Sequence, residues 1–133
     1  MSHTQDSENL SSAEKRHHLC TSEKEQLLAA IKTRLLACDE VTFAYLHGSF
    51  LSQRPFRDVD VAVFFAEHLK HDAQTDISLQ LTAELSHTLR IPVDIHPLNN
   101  TPASFVFQTS SSTLLFSKNE EARLSFLQQC LRA

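Results

Sequence analysis

Glycine is almost missing from this sequence: Gly48 is the only one in 133 residues. Cysteine is scarce as well, and Cys20, Cys38 and Cys130 are odd in number and widely spaced. That pattern fits reduced thiols better than a disulfide framework. No apolar run approaches the roughly 20 residues that a membrane-spanning helix needs. The polar N-terminus lacks the pattern of a signal peptide, and no internal repeat is visible. An excess of basic residues is also absent, with 12 Lys and Arg against 16 Asp and Glu and a net charge of -4. This argues against direct nucleic-acid binding driven by phosphate neutralisation. The expectation is a soluble cytoplasmic protein without membrane contact. What is present suffices for one core: 41% hydrophobic residues in a single-domain length.

The lone glycine stands in the stretch around which the chain is organised, YLHGSFLSQRPFRDVDVAVFF, from Tyr45 to Phe65. Ser49 follows Gly48 at once, and Asp58 and Asp60 come later inside an apolar run. Side chains alternate along a strand, so the two aspartates share a face, roughly 6–7 Å apart. Val59, Val61 and Val63 then point to the core. Adjacent carboxylates repel unless a cation sits between them, and Mg²⁺ takes one or two carboxylates together with phosphate oxygens and water. Alone, Gly-Ser is a turn signal and D-x-D a solvated strand face. The order strand, Gly-Ser turn, short loop, acidic strand is more specific. Glycine allows close backbone approach, and a helix opening at Ser49 would offer N–H groups to a phosphate.

Along the chain, residues 1–22 read as a polar mobile tail and residues 23–133 as one domain. Thr21 or Ser22 caps a first helix whose stripe is Leu27, Leu28, Ile31, Leu35 and Leu36. VTFAYLH is the first strand, with Val41, Phe43 and Tyr45 on one face. EHLKHDAQTD reads as a surface loop, and Ile77, Leu79, Leu81, Leu85 and Leu89 mark a second helix that ends at Ile91-Pro92. Pro92 to Pro97 is a third acidic strand, with Asp94 pointing opposite to Val93 and Ile95. Asn99 to Thr101 form a turn and Thr101-Pro102 a helix start. After a short strand, Ser117 or Asn119 caps a last helix with Leu124, Leu127 and Leu131 buried. His17, His18 and Cys20 lack a second ligand pair, so they read as part of the solvated tail.

HGSF followed by RDVDVAV resembles the G-S…D-x-D signature of the polymerase-β-like nucleotidyltransferases, in their minimal nucleotidyltransferase (MNT) branch. IPVDIHPLNN resembles the family's later aspartate strand, and the likeness runs from about residue 23 to 132. It implies an α+β fold, a mixed twisted sheet flanked by helices. It further implies that Asp58, Asp60 and Asp94 are catalytic and hold two Mg²⁺ ions. Gly48 and Ser49, with Arg54 and Arg57, would hold the phosphates of ATP. Many MNT proteins are antitoxins of HEPN-domain toxins. The resemblance therefore implies a hetero-oligomer with such a toxin and transfer of AMP to a tyrosine hydroxyl of it. Two further readings stand beside this one: an antitoxin that acts by binding alone, and a transferase for a small molecule such as an antibiotic. The loop FLSQRPFR departs from the family's usual Ala-Arg-Gly stretch, but all three acidic positions are filled.

Overall fold

A computed structural model describes residues 19–47, 58–99 and 112–132. The elements in chain order are α1 (Thr21–Leu36), β1 (Val41–His47), β2 (Val59–Phe65), α2 (His71–Leu89), β3 (Val93–Pro97), β4 (Thr113–Ser117) and α3 (Glu120–Arg132). The four strands form one mixed sheet in the order β3-β2-β1-β4. β1 runs antiparallel to both β2 and β4, while β2 and β3 are parallel. The expected mixed α+β architecture is what the chain adopts. The helix expected from Thr101 lies outside the described residues, as does the tail up to residue 18.

One sheet face is covered by α1 and α2. Leu27, Ile31 and Leu35 of α1 and Leu81 and Leu85 of α2 pack there on Val59, Val61, Val63, Val93 and Ile95. α3 covers part of the opposite face, where Phe126 and Cys130 meet Phe43, Ala62, Phe64 and Leu98. β2 is therefore buried on both faces, which explains why VDVAVFF is apolar apart from Asp60.

Four expectations are corrected by the packing. The polar segment HDAQTD is not a loop but the first turns of α2. Its inward face is polar there: Gln74 and Ser78 are buried, and the Gln74 side chain donates to the Leu69 carbonyl at 2.9 Å. Leu36 and Leu79 fall off the buried stripes of their helices and are exposed. The register of β1 shifts between Val41 and Phe43, so these two residues face opposite sides of the sheet. An extra residue in one strand reverses the alternation locally. In α3 the inward residues are Phe126, Leu127 and Cys130, and Leu124 is exposed.

Hydrogen bonds cap the starts of α1 and α3, whereas Lys70 precedes α2 with no side-chain cap. The Cys20 N–H donates to Glu23 Oε1 at 3.1 Å at the start of α1. Asn119 Oδ1 accepts from the Ala122 N–H at 3.0 Å at the start of α3. α2 ends on Arg90 in the left-handed region, at φ 58°.

Candidate active site

The sheet register brings the acidic residues together. Asp60 is the partner of Asp94 across the parallel β2–β3 pair and of His47 across the antiparallel β1–β2 pair. On the far side of β1, Ser112 accepts or donates a 2.9 Å hydrogen bond at His47 Nδ1. Three strands and Ser112, just before β4, thus contribute a polar row, Asp94–Asp60–His47–Ser112, on the face that α3 leaves uncovered at this end. Asp58 is exposed and lies just before β2, next to the row.

Alternation of side chains builds this row. Val59, Val61 and Val63 drive one face of β2 into the core, and Asp60 must then project from the other. Val93 and Ile95 do the same for Asp94 on β3. One row further along lie His96, Ala62 and Tyr45, in register across β3, β2 and β1. Beyond them the face becomes aromatic: Phe43 stacks on Phe64 with ring centroids 4.7 Å apart, and Phe126 of α3 closes over both. The surface grades from acid, through imidazole, to apolar core.

Asp60 is the half-buried member of the acidic group, whereas Asp58 and Asp94 are exposed. Burial first, then the Asp58 and Asp94 carboxylates, push the Asp60 carboxyl above its ordinary value, while His96 pulls it down. His47 is buried, and its imidazole is held below the usual histidine range by burial and by the nearby His96. The two rings lie nearly parallel, 17° apart, with centroids at 5.8 Å. They belong to strands on either side of β2, His96 in register with Ala62 and His47 with Asp60, so the rings meet diagonally across β2 beside the small, fully buried Ala62. His96 Nδ1 is also 3.9 Å from Asp94 Oδ2.

The sequence singled out Asp58, Asp60 and Asp94, and the register sets Asp60 beside Asp94 with Asp58 at the adjoining strand end. Gly48, Ser49, Arg54 and Arg57 lie outside the described residues. The alternation V-D-I-H sets His96 on the face of Asp94, and the fold adds that its ring reaches His47. Among the described residues, no group of three or more His, Cys, Asp or Glu side chains is arranged to hold a metal ion. The donor set still fits Mg²⁺. Its carboxylates are hard oxygen donors that repel one another, and Mg²⁺ needs only one or two of them when phosphate and water complete its shell.

Solved structures with the same fold include MNT antitoxins crystallised with their toxins. One is a complex of a tri-AMPylated Shewanella oneidensis HEPN toxin with its MNT antitoxin. The TM-score is 0.62 at 20% identity, over 82% of this chain and 84% of that one. A toxin–antitoxin complex with AMP-PNP gives 0.55 at 21% identity, covering 86% of each chain. The MntA–HepT complex gives 0.55 at 18% identity over 85% of each. No curated protein sequence matches the chain. The family profile described as polymerase beta, nucleotidyltransferase, matches residues 29–121, which span β1, both acidic strands and β4. The chain belongs to the polymerase β nucleotidyltransferase family.

Proposed function

We propose that this protein is a Mg²⁺-dependent nucleotidyltransferase that moves AMP from ATP to a tyrosine hydroxyl of a HEPN-type toxin in the cytoplasm, and so acts as its antitoxin. The observation that carries the reading is the pairing of Asp60 with Asp94 across β2–β3, with Asp58 alongside, in a chain of this family. The size match supports it: the chain aligns with 84% or more of MNT antitoxins seen with HEPN toxin or with AMP-PNP. Those partners and ligands belong to the neighbours, and their chemistry suits the acidic row described here.

Gly48 and Ser49, immediately after β1, would receive the β- and γ-phosphates, with Arg54 and Arg57 available to neutralise charge. Asp58, Asp60 and Asp94 would hold Mg²⁺ against the triphosphate. Asp94, exposed on the outer strand, would face the acceptor and take up its hydroxyl proton. Bound Mg²⁺ supplies charge neutralisation to the triphosphate and to the attacking and leaving oxygens. One bond forms, from the acceptor oxygen to the α-phosphorus, and one breaks, releasing pyrophosphate.

The test is mass spectrometry of a HEPN-type partner from the neighbouring gene, co-expressed with wild type or with Asp58→Asn/Asp60→Asn, and incubated with ATP and Mg²⁺. The expected result is a mass gain of whole AMP units on a partner tyrosine, lost in the variant. A stable complex and a neutralised toxin without any mass gain would overturn the enzymatic reading in favour of neutralisation by binding. Transfer to a small hydroxyl compound alone would overturn the partner.

A further inference from the structure

β3 is the outermost strand on its side of the sheet among the described residues, yet it carries Asp94. An edge strand lacks a neighbour on one side, so half of its backbone polar groups have no ladder partner. On β3 these groups can be identified. Pro92 O accepts from Val59 N at 2.9 Å, and Leu98 N donates to Val63 O at 2.8 Å. Residues in that alternation therefore turn their main chain toward β2. Val93 and Ile95, the two residues that flank Asp94, turn theirs outward.

Both outward residues are held by hydroxyls from α2. The Ile95 N–H donates to Thr82 Oγ1 at 2.9 Å, and the same hydroxyl donates to the Ile95 carbonyl at 3.4 Å. The Val93 N–H donates to Ser86 Oγ at 2.9 Å, and that hydroxyl donates to the Val93 carbonyl at 3.1 Å. Each hydroxyl accepts from one residue's N–H and donates to its C=O, as an antiparallel neighbouring residue would. The spacings agree: one helical turn from residue 82 to 86 rises about 6 Å, close to the two-residue step from 93 to 95. α2 thus supplies a substitute strand of two hydroxyls, and its two contact points bracket Asp94.

We infer that Thr82 and Ser86 are positioning residues for Asp94. Their paired hydrogen bonds fix the twist and height of β3, and so aim the Asp94 carboxylate at the one on Asp60. This goes beyond the proposed function and rests on it for the shared cation and for the activity readout. The chemical reason is tolerance. A carboxylate that shares a cation with its neighbour must be held to about 0.5 Å, and an edge strand is the least constrained backbone in a sheet. Asp94 itself is exposed, so packing of its side chain does not supply the constraint.

The test compares Thr82→Val/Ser86→Ala, which removes both hydroxyls, with Thr82→Ser/Ser86→Thr, which keeps both. Amide hydrogen exchange at Val93 and Ile95 is expected to speed up at least tenfold in the first and to stay near wild type in the second. Mn²⁺ alone, followed by broadening of the Asp94 amide signal, is expected to bind about 10- to 100-fold more weakly in the first variant. In AMP transfer, kcat should fall by a similar factor with KM for ATP within twofold, and the second variant should retain wild-type kcat. Should the double variant fail to fold, Thr82→Val and Ser86→Ala singly carry the same readouts. Unchanged Mn²⁺ affinity with faster exchange would overturn the inference and leave the hydroxyls as edge protection only. Equal losses in both double variants would overturn it too, since shape rather than the hydroxyl would then matter. If the wild type transfers no AMP, the enzymatic reading fails, while exchange and Mn²⁺ affinity still decide the role of the hydroxyls.

Discussion

Replacing Asp60 with Asn should stabilise the metal-free protein, although it removes a central residue of the proposed site. Asp60 is half-buried beside two other carboxylates, and its proton is held more tightly in the folded chain than in the unfolded one. Partner residues on adjacent strands stand about 5 Å apart. Two unit charges at that distance repel by about 0.8 kcal/mol in water and about 3 kcal/mol at an effective dielectric constant of 20. Asp94 is 60% exposed at its side chain, so solvent screens much of this. A net gain of about 1–2 kcal/mol from Asp60→Asn is the reasonable figure. In a chain of this size that corresponds to about 4–8 °C in Tm. Because the folded-state value is raised, the stability linked to a protonated Asp60 is complete below the ordinary Asp range and is lost as pH rises through the raised value. Wild type therefore carries the penalty above that raised value, and the advantage of the variant should shrink as pH falls through that window. The assay is differential scanning calorimetry in EDTA at pH 7 and at a series of lower pH values, repeated with Mg²⁺. Added Mg²⁺ should raise the wild-type Tm and leave that of the variant nearly unmoved. A variant no more stable than wild type at pH 7 in EDTA would refute the electrostatic account of the acidic row.

Two other substitutions probe the surroundings of the site. Ala62→Leu should force His47 and His96 apart, because Ala62 is fully buried in the row between the strands that carry them. A loss of about 1–3 kcal/mol in urea unfolding, with shifted imidazole proton resonances of both histidines, is expected; unchanged resonances would contradict the packing. Arg90→Gly should gain about 0.5–1 kcal/mol, since Arg90 holds φ at 58° at the end of α2, where glycine meets no steric cost. A lower Tm for that variant would show that the arginine side chain contributes more than the strain costs.

How much of this was legible in the sequence depended on which force wrote each segment. β1 and β2 are mostly apolar runs and β3 alternates, and the aspartates stand out because a carboxylate on such a strand has no place in the core. That Asp60 and Asp94 are register partners is a property of strand pairing, which no local pattern carries. The first turns of α2 were read as a loop because their buried residues, Gln74 and Ser78, look like surface residues. The Gln74 amide donates to the Leu69 carbonyl, whereas Gln74 Oε1 and Ser78 Oγ are buried with no hydrogen-bond partner among the described residues, so neither residue is buried for its hydrophobicity. Thr82 and Ser86 were silent for the same reason: a hydroxyl in a helix gains meaning only from the strand laid against it. The register shift near Thr42 inverted the expected facing of Val41 relative to Phe43, and alternation alone has no means of signalling it. Leu79 and Leu124 misled in the opposite sense, as single exposed leucines are common on helices and carry no signal of burial.

The parallel pairing of β2 with β3 has a consequence for how the protein is made. Parallel neighbours cannot be joined by a tight hairpin, and here the link is the whole of α2. β1 and β2, by contrast, are consecutive antiparallel strands that can pair as soon as both have been synthesised. A chain emerging from the ribosome would thus possess Asp58 and Asp60 well before it could possess a cation site. The proposed site would be complete only when α2 folds back and lays β3 into place, a closure of long sequence separation that is slow relative to local pairing. The meeting of Asp94 with Asp60 would then be a late event of maturation.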